Sequence, residues 1–322
     1  MPQLGPFEVS RQGFGCMGLS HSYGRADDAE SVRTIHHALD LGITLIDTAN
    51  VYGAGHNEEL VGRALAGRRD RVVLASKFGL RLPDDPEDRR VNGSPAYARI
   101  QIEASLRRLN TDRIDLYYLH RVDPLVPIED TVGELARLKD EGKIVAIGLS
   151  EAPADILRRA HSVHPIAALQ TEYSLWTRDP EDEILPTARE LGIGFVAYSP
   201  LGRGFLANNE PVEASDRRHQ HPRFQPEAAT ANAVRRRAIE RVAERLGAST
   251  AQVSLAWVLS KEVVPIPGTR HITHLDANWA ANEIVLDDDA IAELEAAFEP
   301  GSTVGSRYPA GSAASVPIRE RA

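Results

Sequence analysis

Short apolar segments alternate with longer amphipathic segments along most of the chain. Most of the short segments are continuous apolar runs, a pattern typical of parallel strands buried on both faces. The longer segments repeat apolar residues with helical spacing, and glycines mark where several of these helices should end. The pattern predicts eight β-strands, at residues 13–18, 43–47, 71–77, 113–120, 143–150, 165–171, 194–199 and 262–268.

Eight strand–helix units without a separating linker predict an α/β fold, a closed (β/α)8 TIM barrel that forms a single domain over residues 1–322. An open, doubly wound sheet is the alternative. The turn residues in LGPFE, at 4–8, predict a short N-terminal β-hairpin. Residues 203–230, rich in Arg, His, Asn and Pro, predict a long loop after strand seven, and residues 300–322, rich in Gly, Ser and Ala, predict a loose C-terminal tail.

The charge balance narrows the class of partner. The 322 residues carry 37 Lys and Arg against 46 Asp and Glu, a net charge of −9, which disfavours nucleic acid and anionic membranes as partners. A single cysteine, Cys16, leaves no internal disulfide and favours a reducing compartment. MPQLGPFEVS does not read as a secretory signal and no apolar run is as long as a membrane span, so we expect a soluble, cytoplasmic protein.

GFGCMG, residues 13–18, matches the G-x-G-x-x-G pattern of dinucleotide-binding folds. In those folds the glycines open a helix whose N-terminus meets the pyrophosphate. Here the turn-forming LSHSYGR follows, and a helical pattern resumes only near Asp27. The context disfavours a Rossmann site, although glycines here would still let the backbone lie close to a ligand.

Polar residues stand where the predicted strands end. Asp47, Lys77 and His120 end strands two, three and four, and Tyr52 lies on the loop after Asp47. Because the catalytic residues of a TIM barrel lie at the carboxyl ends of its strands, we expect these four side chains at one rim. Later strands deliver further polar groups to the same rim, namely Ser150, Gln170, Tyr198, Ser199 and the segment 267–270.

The chemistry of these four residues is compatible. A free phenol has a pKa of about 10, and a nearby ammonium favours the phenolate and lowers that pKa. Asp47 would hold Lys77 charged, and His120 would orient a substrate carbonyl. The set predicts proton transfer between a carbonyl and an alcohol, with a cofactor supplying the hydride. Taken singly, each residue has a structural alternative: Asp47 and Lys77 as an ion pair, Tyr52 as a loop aromatic and His120 as a core histidine. Four such residues at one rim favour a catalytic role instead.

Other conspicuous residues have ordinary interpretations. Cys16 is expected in a buried strand, and Trp257 in the core. Three pairs of closely spaced histidines lack accompanying cysteines or acids, so no metal site is predicted. RRHQHPRF, at 217–224, is either a phosphate clamp or a solvated loop, and the solvated loop is favoured.

The chain resembles the aldo-keto reductase superfamily in a series of stretches that follow the family's order. The resemblance covers roughly residues 3–300 and includes a complete catalytic tetrad. It is most similar to the bacterial and plant branch with pyridoxal reductase-like and auxin-induced-protein-like members, and GSRYP near the C-terminus fits that branch. The stretches are LIDTANVYGAGHNEELVGRAL, VVLASKFG, IDLYYLHRVDP, GLSE, QTEYSLW, VAYSPLGRGFL and PIPGTR.

The resemblance implies a role for each member of the tetrad. Tyr52 would be the general acid in reduction, Lys77 and Asp47 would tune it, and His120 would orient the carbonyl. Side chains beside the rim motifs would shape the substrate pocket. These are Tyr23, Phe78, Arg121 and Trp176.

The resemblance also implies a nicotinamide cofactor, commonly NADPH. Ser150 and Gln170 would hydrogen-bond its carboxamide, Tyr198 would stack on its ring, and Arg270 would meet its 2′-phosphate. His271 stands where many relatives have an arginine or lysine, so NADH is a possible alternative. The remaining implied contacts are Met17, Gly18, Ser199, Leu201, Gly202, Gly204, Pro267, Gly268, Thr269, His274 and Asn278.

These features predict an NADPH-dependent reductase of an aldehyde or ketone, with hydride from the nicotinamide and a proton from Tyr52. By its branch, the substrate would be pyridoxal or a broad range of small aldehydes. A nucleotide-sensing regulatory subunit with little turnover is the alternative, because some members of the superfamily associate with channels. A metal-dependent barrel hydrolase is disfavoured, and the patterns do not predict an oligomeric state.

Overall fold

Eight parallel strands form the centre of the molecule in the computed structural model, which describes residues 1–20, 26–81, 91–207 and 216–309. A small antiparallel hairpin, β1 (Gln3–Leu4) and β2 (Phe7–Glu8), precedes them. The sheet runs in chain order from β3 to β10, each strand parallel to the next. Its strands are β3 (Phe14–Gly15), β4 (Leu45–Asp47), β5 (Val73–Phe78), β6 (Ile114–Leu119), β7 (Ile144–Ser150), β8 (Ile166–Glu172), β9 (Gly194–Tyr198) and β10 (Val264–Pro265).

Helices connect the strands and cover the outside of the sheet. Several begin where a side chain caps the first turn: Asp27 accepts from the Glu30 N–H, Ser94 from the Tyr97 N–H, and Ser249 forms a capping box with Gln252. The helices are α1 (Asp28–Asp40), α2 (His56–Leu65), α3 (Pro95–Leu109), α4 (Ile128–Asp140), α5 (Ala154–Val163), α6 (Ile184–Glu190), α7 (Pro226–Leu246), α8 (Thr250–Ser260), α9 (Ile272–Ala280) and α10 (Asp288–Ala297).

The first and last strands of the sheet meet, which closes the barrel. The Gly13 N–H donates to Pro265 O at 2.9 Å, and the Gly15 N–H reaches Pro267 O at 3.5 Å. A Cβ on Gly15 would lie 2.7 Å from Ile266 O, and a Cβ on Gly268 would overlap the Gly15 carbonyl. Gly13 and Gly15 of GFGCMG therefore serve the closure of the barrel, because only residues without a side chain allow the two backbones to approach so closely.

Apolar side chains fill two layers, one inside the barrel and one between the sheet and the helices. Inside, Tyr118 lies against Gly148, where any side chain would collide with its ring. The hairpin closes the amino end of the barrel, because Leu4 is fully buried and packs against Gly194. The hairpin therefore covers the amino end of the barrel, and the predicted rim residues lie at the opposite, carboxyl end of the strands.

The predicted barrel and N-terminal hairpin are confirmed, with some corrections to the predicted segments. The strand expected at 13–18 is only two residues long, because Met17–Leu19 turns as a 3-10 helix; Cys16 precedes that turn and is buried. The loop expected over 203–230 ends at 225, because α7 begins at Pro226. Trp257 lies fully buried in the core, as predicted.

The C-terminal tail expected to be loose is bound at least as far as Tyr308, whose Oη lies 2.7 Å from Tyr198 Oη. Thr303 Oγ1 donates to Trp176 O at 3.1 Å, and the Val304 N–H donates to Asn232 Oδ1 at 3.0 Å. Asn232 Nδ2 returns a bond to Val304 O at 3.0 Å. We call residues 301–309 the C-terminal strap; the rest of the expected tail, 310–322, lies outside the described residues.

Gly268→Ala tests the closure of the barrel. The new methyl group would collide with the Gly15 backbone, so we expect a loss of about 1–3 kcal/mol or more in the free energy of unfolding. Gly133→Ala is the matched control, because nothing lies near its Cβ position within α4, and we expect a gain of about 0.5–1 kcal/mol. Urea unfolding measures both; equal stability of Gly268→Ala and the parent would contradict the close approach.

Candidate active site

Asp47, Lys77 and Tyr52 meet at the carboxyl ends of β4 and β5. The Lys77 ammonium donates a short hydrogen bond to Asp47 Oδ1, one of 2.9 Å to Thr48 O and one of 3.5 Å to Tyr52 Oη. Both charged groups are out of solvent, with Lys77 0% and Asp47 3% exposed. The phenol and the ammonium, expected from the sequence to be neighbours, therefore do contact each other.

A glycine-rich turn places Tyr52 beside Lys77. Tyr52–Gly55 forms a 3-10 turn between β4 and α2, and Gly53 and Gly55 have φ angles of 57° and 96°. Glycine adopts this left-handed backbone without the steric cost that other residues carry. A Cβ on Gly53 would also lie 2.9 Å from Cβ of Ser20, so the turn packs tightly against the loop after β3.

His120 follows β6 and lies next to the Tyr52 ring. The two rings meet edge to face, with centroids 5.8 Å apart. Burial, together with the positive charges of Arg121 and Lys77, holds the pKa of His120 well below its ordinary value, so the imidazole is neutral near pH 7. Its Nδ1 has no partner among the described residues. A neutral imidazole in this position is suited to hydrogen-bonding a carbonyl oxygen.

The protonation states of Tyr52 and Lys77 are set by opposing influences. Burial raises the pKa of Tyr52 and outweighs Lys77, which lowers it, so the net shift is upward. The expectation that Lys77 would bring this pKa below that of a free phenol is therefore wrong. Burial also lowers the pKa of Lys77, but Asp47 and Tyr52 raise it above its ordinary value. The pair is thus a neutral phenol and a charged ammonium.

Gln170 and Ser150, which the resemblance assigned to the nicotinamide carboxamide, lie next to the tetrad. Gln170 Nε2 donates to Asp47 Oδ2 at 2.8 Å. Ser150 Oγ accepts from Arg121 Nη1 at 3.2 Å. Both side chains are buried polar groups close to the catalytic candidates, and their role towards a cofactor stays a prediction.

The other predicted cofactor residues lie on loops that follow β3, β9 and β10. Tyr198 ends β9, and Ser199 and the glycines at 202 and 204 form a left-handed turn directly after it, with φ angles of 49°, 55° and 95°. Leu201 within this turn is partly buried. The turn after β3 holds Met17 and Gly18. The segment after β10, the strand next to β9, holds Pro267, Gly268, Thr269, Arg270, His274 and Asn278.

The four predicted pocket residues have different outcomes. Phe78 does not face the site: it is fully buried between the sheet and the helices, stacked on Tyr117 at 5.2 Å, because successive strand residues point to opposite faces and Lys77 points inwards. Arg121 lies beside His120, whereas Trp176 is buried and stacks on Phe205 at 4.0 Å. Tyr23 lies outside the described residues.

Sequence reasoning missed a buried cluster of charges at the same end of the barrel. Glu151 follows β7 and Glu172 ends β8, and both are less than 5% exposed. Arg307 of the C-terminal strap reaches Glu151 at 3.3 and 3.4 Å, and Arg203 reaches Glu172 at 3.3 Å. Burial raises the pKa of Glu172, but the surrounding arginines outweigh it and lower the pKa, so this carboxylate is charged.

The solvated loop that was favoured for 217–224 holds for His219 and Gln220, which are exposed, but not for Arg218 and Arg223, which are buried. Arg218 is buried and paired with Asp216, and Arg223 is buried between Glu172 and the Trp176 ring. The signal that could have found the cluster is the one that found Asp47: an acid directly after an apolar strand, here in GLSE and QTE.

The fold and the rim residues together define a class. A closed parallel barrel that gathers a tyrosine, a lysine, an aspartate and a histidine at its carboxyl end has the layout of a TIM-barrel enzyme, whose active site lies at that end. The family model described as the aldo/keto reductase family matches residues 12–299, and the chain belongs to that family. No helix within the described ranges has the length and apolarity to cross a membrane.

Individual relatives agree with this assignment. A probable aldo-keto reductase 1 of Glycine max is 48% identical over 309 residues, which cover 94% of this chain and 89% of the relative. The glycerol dehydrogenase of Gluconobacter oxydans superposes with a TM-score of 0.81 at 32% identity, covering 93% of this chain and 95% of the other. An aldo-keto reductase of Klebsiella pneumoniae in complex with NADPH superposes with a TM-score of 0.74 at 30% identity, covering 93% and 96%.

Asp47→Asn tests the coupling at the centre of the site. We expect it to lower the free energy of unfolding by about 3–5 kcal/mol, because it leaves the Lys77 ammonium buried without a carboxylate. The double variant Asp47→Asn/Lys77→Met removes both charges, so its loss should be smaller than the sum of the two single losses. Urea unfolding of Asp47→Asn, Lys77→Met and the double variant gives the coupling free energy between Asp47 and Lys77. Strictly additive losses would contradict the coupling.

Proposed function

We propose that the protein reduces an aldehyde or ketone to the alcohol, with NADPH as the hydride donor. The observation that carries the proposal is the contact of one buried ammonium, Lys77, with both Asp47 and Tyr52, beside the neutral His120. Membership of the aldo/keto reductase family supports it. The same barrel rim supplies the groups that would hold both reactants.

The residues of the chain have distinct tasks in this reaction. NADPH, when bound, supplies the hydride for the carbonyl carbon. The neutral imidazole of His120 hydrogen-bonds the carbonyl oxygen and sets its direction, and the Tyr52 hydroxyl donates its proton to that oxygen as the alcohol forms. The Lys77 ammonium stabilises the phenolate that Tyr52 becomes, and Asp47 keeps Lys77 charged and in place.

The residues present fit a nicotinamide dinucleotide. The uncharged donors and acceptors of Ser150 and Gln170 lie next to the tetrad, where a neutral carboxamide would bind. Arg270 on the loop after β10 offers a cation that would balance a phosphate, whereas Arg203 after β9 is paired with Glu172 and is weakened as a phosphate ligand. The complex of the Klebsiella pneumoniae relative with NADPH supports this cofactor. His271 pairs with Glu30 at 3.0 Å, which weakens it as a phosphate ligand and keeps NADH as the alternative.

A carbonyl screen tests the proposal and its alternative. Pyridoxal, 4-nitrobenzaldehyde and methylglyoxal are offered with NADPH, and in parallel with NADH, while absorbance of the reduced cofactor is followed. We propose a range of small aldehydes as substrates, with pyridoxal among them, and the cytoplasm as the location. Cofactor that binds but is not oxidised by any carbonyl would favour the nucleotide-sensing regulatory subunit.

Tyr52→Phe is expected to lower kcat for carbonyl reduction by roughly 100- to 10,000-fold, because it removes the proton donor. NADPH binding, measured by the change in its fluorescence, should persist. Tyr97→Phe is the matched control: it removes a buried phenol hydroxyl without a hydrogen-bond partner in the described chain, and turnover should be unchanged. Full activity of Tyr52→Phe would exclude this mechanism.

The pH dependence follows from the two shifted groups. Reduction needs a protonated Tyr52, whose pKa is raised, so activity is present below that pKa and is lost above it. It also needs a neutral His120, whose pKa is lowered, so activity is lost only at acidic pH. We expect a flat profile of kcat/KM for reduction between about pH 6 and 9. A decline that begins near the ordinary pKa of histidine would contradict this assignment.

A further inference from the structure

Arg121 is a buried arginine whose charge no carboxylate of the described chain contacts. It is 7% exposed and follows His120 directly. Its hydrogen bonds go to a carbonyl and two hydroxyl groups, all neutral. A buried charge normally has a partner of opposite sign, because desolvation is otherwise costly. The other buried arginines of the described ranges obey this rule: Arg178 contacts Glu181, Arg218 Asp216, Arg223 Glu172, and Arg307 Glu151.

The hydrogen bonds of Arg121 leave one buried edge of its guanidinium poorly bonded. Nη1 is well bonded, donating to His120 O at 2.6 Å and to Ser150 Oγ at 3.2 Å. Nη2 contacts Tyr308 Oη at 3.5 Å, the outer limit of a hydrogen bond, and Nε has no partner among the described residues. Nε and Nη2 together form an edge that binds a carboxylate through two parallel hydrogen bonds.

We infer that this edge of Arg121 binds a carboxylate carried by the substrate. The inference rests on the proposed function, and it names the substrate class as carbonyl compounds that bear a carboxylate a few bonds from the aldehyde or ketone. His120 and Tyr52 hold the carbonyl, and Arg121, one residue from His120, holds the acid group. The acid displaces the weak contact of Arg121 with Tyr308 on the C-terminal strap.

The position of Arg121 favours the substrate over the cofactor as the source of the anion. Its partners are His120 and Ser150, so it lies with the tetrad and the residues proposed to hold the uncharged nicotinamide. The cation proposed for the cofactor phosphates, Arg270, stands on the loop after β10. A carboxylate also matches the fork of the guanidinium better than a single acceptor does.

Matched pairs of substrates test the inference. 4-Carboxybenzaldehyde is compared with 4-formylbenzamide, 3-carboxybenzaldehyde with 3-formylbenzamide, and 4-oxobutanoate with its amide, each with saturating NADPH. The two members of a pair have the same shape and differ in charge. For at least one pair we expect kcat/KM to be roughly 10- to 100-fold higher for the acid than for the amide. A buried, charge-assisted pair of hydrogen bonds has an effect of this size, and we expect it to appear mainly as a lower KM for the acid.

Variants of Arg121 show whether the guanidinium causes this preference. Arg121→Met should abolish the ratio of acid to amide, and Arg121→Lys, which keeps the charge but loses the fork, should retain part of it. Arg178→Met removes a buried, paired arginine elsewhere and should leave the ratio unchanged. Arg121→Met should also weaken the binding of 4-(hydroxymethyl)benzoate, measured by calorimetry without turnover. The affinity should fall by about the same factor as the acid-to-amide ratio.

The outcomes separate this inference from the proposed function. Equal use of acid and amide in all three pairs, or an unchanged ratio in Arg121→Met, overturns the carboxylate site while leaving the reductase intact. If no carbonyl oxidises NADPH, the reductase proposal fails, and the calorimetry still decides whether Arg121 binds the acid. If Arg121→Met does not fold, Arg121→Lys decides. An acid-to-amide ratio and an affinity for 4-(hydroxymethyl)benzoate equal to those of the parent would overturn the inference.

Discussion

The buried ammonium of Lys77 is the constraint on which the rest of the site depends. An ammonium excluded from water is stable only beside an anion and enough acceptors, and the chain provides Asp47 Oδ1, Thr48 O and Tyr52 Oη. The parallel register of β4 and β5 brings Asp47 and Lys77 to the same rim. Gln170 Nε2 donates to the second oxygen of Asp47, and Lys77 links the first oxygen to Tyr52.

Electrostatics at the rim have a consistent pattern. Charges of opposite sign are paired where they are structural, as in Glu151 with Arg307, and these pairs fasten the C-terminal strap to the ends of β7 and β8. Among the described residues, His120 Nδ1 and Arg121 Nε have no hydrogen-bond partner, and the His120 ring contacts that of Tyr52. Ion pairs thus fasten the C-terminal strap, and His120 and Arg121 keep hydrogen-bonding capacity that the proposed reaction would use.

The fold and the tetrad could be predicted because both leave local signals. Apolar runs alternating with amphipathic segments indicate a barrel, and a polar residue directly after such a run indicates a rim position. The orientation of Phe78 was missed although it is one residue from Lys77, because a strand reverses its face at each step. The roles of Glu151 and Arg307 were missed because their contact joins residues 156 positions apart, and no periodicity reveals such a pair.

The seam between β3 and β10 has a consequence for how the molecule is made. The N–H groups of Gly13 and Gly15 donate to Pro265 O and Pro267 O, so the barrel cannot close until residue 267 has been synthesised. Until then one edge of β3 is exposed, and loop-closure entropy must be overcome across more than two hundred residues. Pairing of β3 with the segment of β10 is therefore a late step in the folding of this barrel.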